Sequence, residues 1–180
     1  ANAEQTLVEW NIAVSDSSIW TFDRTFLRRY SKSPTPRAWR MNSRVYKDLE
    51  LNESTTWIGT EYHGLVKLDQ RSGKQSTYMI SPVERGILSA NYVSAICKDR
   101  TGILWLGPNG LRSFDPSLGK FKEYKHNSLD SFSISSGGVV ALLQDKHGFV
   151  WIGTTGGGLN RFDPTTGKFA HWKHNPDDSS

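Results

Sequence analysis

The stretch "VWIGTTGGGLNRFDPTTGKFAHWKHN", Val150 to Asn175, sets three consecutive glycines directly behind a tryptophan-bearing run of β type. Read alone, Gly156 to Gly158 have the look of a phosphate-binding loop, in which backbone amides approach an anion closely. Whether they are a site or a turn depends on whether the stretch is unique.

It recurs. "LWLGPNGLRSFDPSLGKFKEYKHN", Leu104 to Asn127, and "TWIGTEYHGLVKLDQRSGKQSTY", Thr56 to Tyr78, align with it when Trp57, Trp105 and Trp151 are placed in register, at separations of 48 and 46 residues. A worn fourth copy, "DSSIWTFDRTFLRRYS", Asp16 to Ser31, puts Trp20 37 residues before Trp57. Self-similarity at such a period is the signature of a repeat architecture.

The best copy reads "VVALLQD", "FVWIGT", "LNRFD" and "FAHWKH", separated by "KHG", "TGGG" and "PTTGK". Four short apolar and alternating runs separated by turn chemistry describe an antiparallel meander, and no window of helical length carries a sustained i, i+3, i+4, i+7 stripe. The fold class is therefore all-β: a β-propeller of four-stranded antiparallel blades, with about four blades in this chain. The expected blades are residues 1–42 (the degenerate first), 43–89, 90–136 and 137–180. Asp99 with Gly102, and Asp145 with Gly148, suit a first hairpin in which the carboxylate caps backbone amides and glycine takes a positive φ. Trp57, Trp105 and Trp151 are expected to pack between neighbouring blades, because a single sheet cannot bury its own faces.

The glycine run thus becomes a hairpin. It is followed by the strand "LNRF" rather than a helix, no G-K-(S/T) or G-x-G-x-x-G context surrounds it, and the aligned copies read "YHG" and "PNG".

The pattern D-x-x-G-x-(L/V)-W-(I/L)-G-T, followed by G-G-L-N-R-F-D-P-x-T-G-K-F, resembles the two-component regulator propeller repeat of bacterial sensor ectodomains. Asp145 to Asn175 match it almost throughout and Asp99 to Asn127 match with a two-residue gap; Thr56 to Tyr78 keep the tryptophan strand and the Gly64–Leu65 restart. The resemblance implies a periplasmic, non-enzymatic sensing domain of a hybrid sensor histidine kinase, whose kinase and membrane attachment lie outside this chain. It also implies more blades than four. The remaining blades are expected from the same protein or from a second copy, which would make the chain part of a homo-oligomer.

In a propeller, the loops "TEYHG", "PNG" and "TTGGG" share a face with the connectors "SPVERGILSAN" and "NSLDSFSISSGG". Loops held on a rigid scaffold carry specificity. Tyr62, His63, Arg85, Asn91, Tyr92 and Asn109 on these segments have the rings and planar polar groups that an oligosaccharide needs, and they form the expected ligand set.

Other chemistries fit less well. "DPTTGKFAHW" resembles the docking motif of quinone-dependent propeller dehydrogenases, but its tryptophan arrives one residue late and Tyr124 and Tyr78 replace it in the other copies. "KDRTGILW" and "QDKHGFVW" resemble the aspartate-box turn of sialidase-type propellers, itself a folding element. An enzyme of quinone-dependent or lyase type and a purely structural interaction platform are the competing readings. The five histidines show no metal-ligand spacing, so neither a metal nor a cofactor is expected. Net charge is +4, and eight basic residues between Arg24 and Lys47 are interleaved with Phe26, Tyr30, Trp39 and Tyr46; because strands alternate faces, these charges cannot share one surface, and nucleic acid is not an expected partner. The single cysteine, Cys97, excludes an internal disulfide and is expected to be buried on an innermost strand.

Overall fold

The computed structural model describes residues 11–15, 18–22, 26–31, 35–42, 45–51, 54–79, 91–107 and 110–173. They form sixteen strands and, among the described residues, no helix. The first sheet contains β1 Asn11–Ser15, β2 Ser18–Phe22, β3 Phe26–Tyr30 and β4 Arg37–Arg40. The second contains β5 Val45–Leu51, β6 Thr55–Thr60, β7 Leu65–Asp69 and β8 Gln75–Tyr78. The third contains β9 Ala95–Lys98, β10 Leu104–Gly107, β11 Leu111–Asp115 and β12 Lys120–Tyr124. The fourth contains β13 Val139–Gln144, β14 Val150–Thr154, β15 Gly158–Asp163 and β16 Lys168–Trp172. Each sheet is an antiparallel meander in chain order, and the first strands of consecutive sheets lie against one another, so the sheets are arranged as blades.

Strand register places the repeat with single-residue accuracy. Trp20, Trp57, Trp105 and Trp151 pair with Arg29, Lys67, Ser113 and Arg161. Two residues earlier on each third strand, Leu27, Leu65, Leu111 and Leu159 pair with Trp39, Tyr78, Tyr124 and Trp172. One residue after the tryptophan's partner stand Tyr30, Leu68, Phe114 and Phe162, which face the other way because side chains alternate along a strand.

These positions build the core between sheets. Trp57 and Tyr78 of the second sheet lie 5.7 and 4.9 Å from Phe114 of the third, centroid to centroid. Trp105 and Tyr124 of the third lie 5.3 and 4.7 Å from Phe162 of the fourth. At the first junction Trp20 stacks on Trp39 at 5.8 Å, and both join Leu68 of the second sheet in one buried cluster. Every junction is thus a two-ring clamp closed on one large apolar side chain of the next sheet. Tilted and edge-on ring pairs of this kind add roughly 0.5–1.5 kcal/mol beyond the area they bury.

The first hairpins have the expected chemistry and one addition. Asp145 Oδ1 accepts the His147 and Phe149 amides at 2.8 and 3.0 Å, while Oδ2 accepts the indole Nε1–H of Trp151 at 2.8 Å. Asp99 does the same for the Thr101 and Ile103 amides and for Trp105. The turn therefore also orients the clamp ring. Cys97 is half-buried instead of buried, its thiol 3.9 Å from the Lys98 carbonyl, since the β9 face that carries it is only partly covered.

Candidate ligand-binding face

The second-to-third-strand loops and the inter-sheet connectors meet at one end of the blades. The Gly64 amide donates to the Asn91 carbonyl at 2.8 Å, and the Val93 amide donates to the Thr60 carbonyl at 3.0 Å. At the next junction the Gly110 amide reaches the Gly137 carbonyl, and at the fourth sheet the Thr155 amide reaches the Gly138 carbonyl at 2.7 Å. The connector before the fourth sheet is pinned from both sides: His126 Nδ1 donates to the Ile134 carbonyl at 2.7 Å, and His171 Nε2 donates to the Ser133 carbonyl at 2.6 Å. Asn160, fully buried, accepts from the Ser135 amide and donates to its hydroxyl, both at 2.9 Å.

The glycine run belongs to this end and is architectural. Gly156 and Gly158 have φ of 76° and 75°, and a Cβ on Gly158 would collide with the Trp172 carbonyl. Gly157 has no room for a side chain either: its Cβ would lie 2.6 Å from Ser135 Oγ and Thr154 Oγ1.

Of the six residues expected to hold a ligand, four lie together here and two, Arg85 and Asn109, lie outside the described residues. Tyr62 and His63 are exposed on the loop after β6, the Tyr62 hydroxyl donating to Glu61 Oε1 at 2.8 Å. Tyr92 is half-buried in the connector, between Asn91 and Val93 that bond to the ends of this loop, whereas Asn91 is buried to 3% exposure. The loop is braced by Thr60, whose hydroxyl donates to the Gly64 carbonyl at 2.8 Å and accepts the His63 amide at 3.0 Å. Thr154 repeats the first of these bonds to Gly158 at 2.9 Å. The recurring "IGT" carries that signal, which was legible only as strand.

At the opposite end, a groove of about 610 Å³ opens between the third and fourth sheets, lined in part by Trp105, Tyr124, His147, Phe149 and Asp163. Its carboxylates are engaged in turns. Asp163 accepts the Thr165 amide at 2.8 Å and the Thr166 hydroxyl at 2.9 Å, bonds that hold its carboxyl below the usual range. Hydrogen bonds from Ser72 lower Asp69 and those from Ser117 lower Asp115, while Asp145 is lowered first by the Trp151 indole. Groups held ionised in this way serve the fold and are poorly suited to proton transfer. Among the described residues, no three His, Cys, Asp or Glu side chains converge as a metal site would require.

Comparison with known proteins agrees with this architecture. The family model described as "Two component regulator propeller" matches residues 87–110 and 133–156, each ending in a loop between the second and third strands of a sheet. No curated protein matches the chain. The fold is shared with the extracellular domain of a putative hybrid two-component system of B. thetaiotaomicron, at a TM-score of 0.69 and 18% identity over 91% of this chain and 24% of that one. A second such extracellular domain from B. thetaiotaomicron gives a TM-score of 0.64 at 24% identity, over 91% of this chain and 22% of that one. The WD40 β-propeller domain of Doa1 gives 0.66 at 11% identity, over 87% of this chain and 51% of that one. The chain spans about a quarter of the length of the two extracellular domains. Its four described sheets are a stretch of β-propeller, two segments of which are similar to the two-component regulator propeller repeat.

Proposed function

We propose that this chain is a ligand-sensing segment of the periplasmic part of a two-component sensor, that it binds an oligosaccharide at the loop end, and that it contributes no catalysis of its own. The observation that carries the reading is the double match to the regulator propeller repeat, on a fold shared with extracellular domains of two putative hybrid two-component systems. Tyr62 and His63 present exposed rings on a braced loop, the arrangement that stacks on a sugar face while neighbouring polar groups take its hydroxyls. Asp69, Asp99, Asp115, Asp145 and Asp163 all serve turns, which argues against a pair of carboxylates acting across a glycosidic bond.

Signalling then rests on differential affinity. A bound ligand favours whichever arrangement of this segment and its neighbours it contacts better, and the kinase outside the chain reads that shift. Isothermal titration against a panel of neutral and acidic oligosaccharide fragments tests the proposal. Saturable binding without turnover is the expected result; released product, or a quinone absorption band, overturns it.

A further inference from the structure

A cation stands over the second-strand tryptophan on three of the four sheets. Arg29 lies 5.5 Å from the Trp20 ring centroid, Lys67 5.5 Å from Trp57 and Arg161 6.0 Å from Trp151, each being the third-strand residue that pairs with that tryptophan. On the third sheet the paired residue is Ser113, and among the described residues no cation lies over Trp105. A serine fills far less of the gap between sheets than a lysine or an arginine. The groove of about 610 Å³ between the third and fourth sheets opens at this point, with Ser113, Trp105 and Tyr124 in its wall. Small-molecule sites have volumes of about 300–1,000 Å³. Lys122, the strand partner of Ser113, does not take the place: its ammonium stands 4.8 Å from the Tyr124 ring centroid and does not line the groove.

The opposite wall offers what such a side chain needs. At the first junction Arg29 reaches across and donates to Gln70 Oε1 at 3.0 Å, in the residue directly after Asp69. Counted from the clamped side chains Leu68 and Phe162, the same place on the fourth sheet is Pro164, directly after Asp163, and both line the groove. Proline has no side-chain acceptor, so the acceptor at this corner is the Asp163 carboxylate. Its two turn bonds keep it ionised and leave lone pairs to spare. Asp99 adds a second carboxylate to the lining, which among the described residues holds neither lysine nor arginine. The Ser113 hydroxyl, half-buried, has no hydrogen-bond partner among the described residues and is free to accept. A ring-walled groove whose fixed charges are negative selects for positive charge.

We propose that this groove binds a small organic cation, a guanidinium or primary ammonium on a short aliphatic stem, which lays its stem beside Ser113 and Tyr124 and sets its charge at Asp163. The ligand takes the place that Arg29 and Lys67 fill from within the chain at the two preceding junctions. Trp105, 3% exposed, closes the groove from behind, and its indole N–H, bonded to Asp99 at 2.8 Å, is a reporter inside the wall. The groove lies at the end of the blades opposite the loops, so the inference is independent of what the loop end binds.

An NMR titration of the full chain with n-butylguanidinium, at constant ionic strength, tests it. The Trp105 indole resonance, identified by its loss in Trp105→Phe, is expected to shift saturably with a dissociation constant on the order of 1 mM, as suits a ligand of this size. The indole of Trp57, over which Lys67 already lies, stays in place. Neither n-butylurea, the neutral analogue, nor n-butyrate moves the Trp105 resonance. Ser113→Lys supplies the side chain from within, raises the urea midpoint and weakens the ligand about tenfold or more. Asp163→Asn keeps the size of the side chain and weakens the ligand several-fold. Lys122→Gln removes a like charge and strengthens it about twofold. Undiminished binding to folded Ser113→Lys or to Asp163→Asn overturns the proposal, as does an equal response to n-butylurea or n-butyrate. The absence of a saturable shift well above millimolar concentration overturns it too.

Discussion

Asp99 Oδ2 accepts the indole Nε1–H of Trp105 at 2.8 Å, so one carboxylate both closes a hairpin and fixes a ring that grips the next sheet. Trp105 is 3% exposed and Asp99 7%, hence neither group can turn to water if the other is removed. Asp99→Ala strands the indole N–H and the Thr101 and Ile103 amides, and an expected loss of about 3 kcal/mol follows from the cost of unpaired buried donors. Urea denaturation measures it; a loss below about 1 kcal/mol would show that the turn closes without its carboxylate.

The first sheet offers a comparison. Its repeat position six residues before Trp20 is Val14 instead of Asp, and the Trp20 Nε1–H is buried without a hydrogen-bond partner among the described residues. Trp20→Phe removes ring volume but also an orphaned donor, whereas Trp105→Phe removes the same volume and leaves Asp99 without the indole. We expect Trp105→Phe to be the more destabilising by about 1 kcal/mol, read from paired urea curves.

Four hairpin carboxylates, Asp69, Asp115, Asp145 and Asp163, are held below the ordinary carboxylate range by hydrogen bonds they accept in the folded chain. A folded pKa below the unfolded one stabilises the fold above the unfolded pKa, and the gain is lost as pH falls through the unfolded and then the folded value. Stability is therefore expected to be level from pH 7 to about 5 and to decline below about 4. Replacing Asp145 and Asp163 together by Asn flattens that decline; an unchanged slope would place the acid sensitivity elsewhere.

Much of this was legible because hairpin chemistry is local. An Asp followed by a glycine taking positive φ is written within a few residues, and the tryptophan period follows from the same alignment. The clamp partners were hidden for a different reason. Trp39, Tyr78, Tyr124 and Trp172 share a position only through strand pairing, and in the sequence Tyr78 and Tyr124 register merely as places where a tryptophan is missing. The role of the basic stretch of the first sheet was hidden in the same way. Arg29 and Arg37 join the first two sheets, through Gln70 and the Arg71 carbonyl, contacts that no local pattern announces. Asn91 has the chemistry of a ligand-binding residue, yet its burial depends on the packing of a distant loop.

That burial separates two kinds of variant at the loop end. Tyr62→Ala removes an exposed ring and should weaken oligosaccharide binding about tenfold, the equivalent of ~1.4 kcal/mol, with the urea midpoint unchanged. Asn91→Ala changes a buried side chain whose backbone carbonyl holds Gly64, so its effect should appear in the urea midpoint. A titration in which Tyr62→Ala binds as well as the parent removes the ring from the site.

The junctions also depend on the absence of a side chain. A Cβ on Gly107 would lie 2.5 Å from Val139 Cγ1 and 3.3 Å from the Ala95 Cβ, so the second strand of one sheet must be bare where the first strand of the next presses in. Gly107→Ala is expected to cost about 1–3 kcal/mol by overpacking. Val139→Ala alone costs about 2 kcal/mol by leaving a cavity. Combined, they should cost about 1 kcal/mol less than their sum, because the new methyl occupies the space that valine vacates. Gly153 holds the same repeat place on the fourth sheet, but the nearest atom to its Cβ is the Ala141 Cβ at 3.4 Å, within its own sheet. Gly153→Ala should therefore be nearly neutral in this chain, and a penalty as large as that at Gly107 would mean that another chain presses on the fourth sheet there in solution.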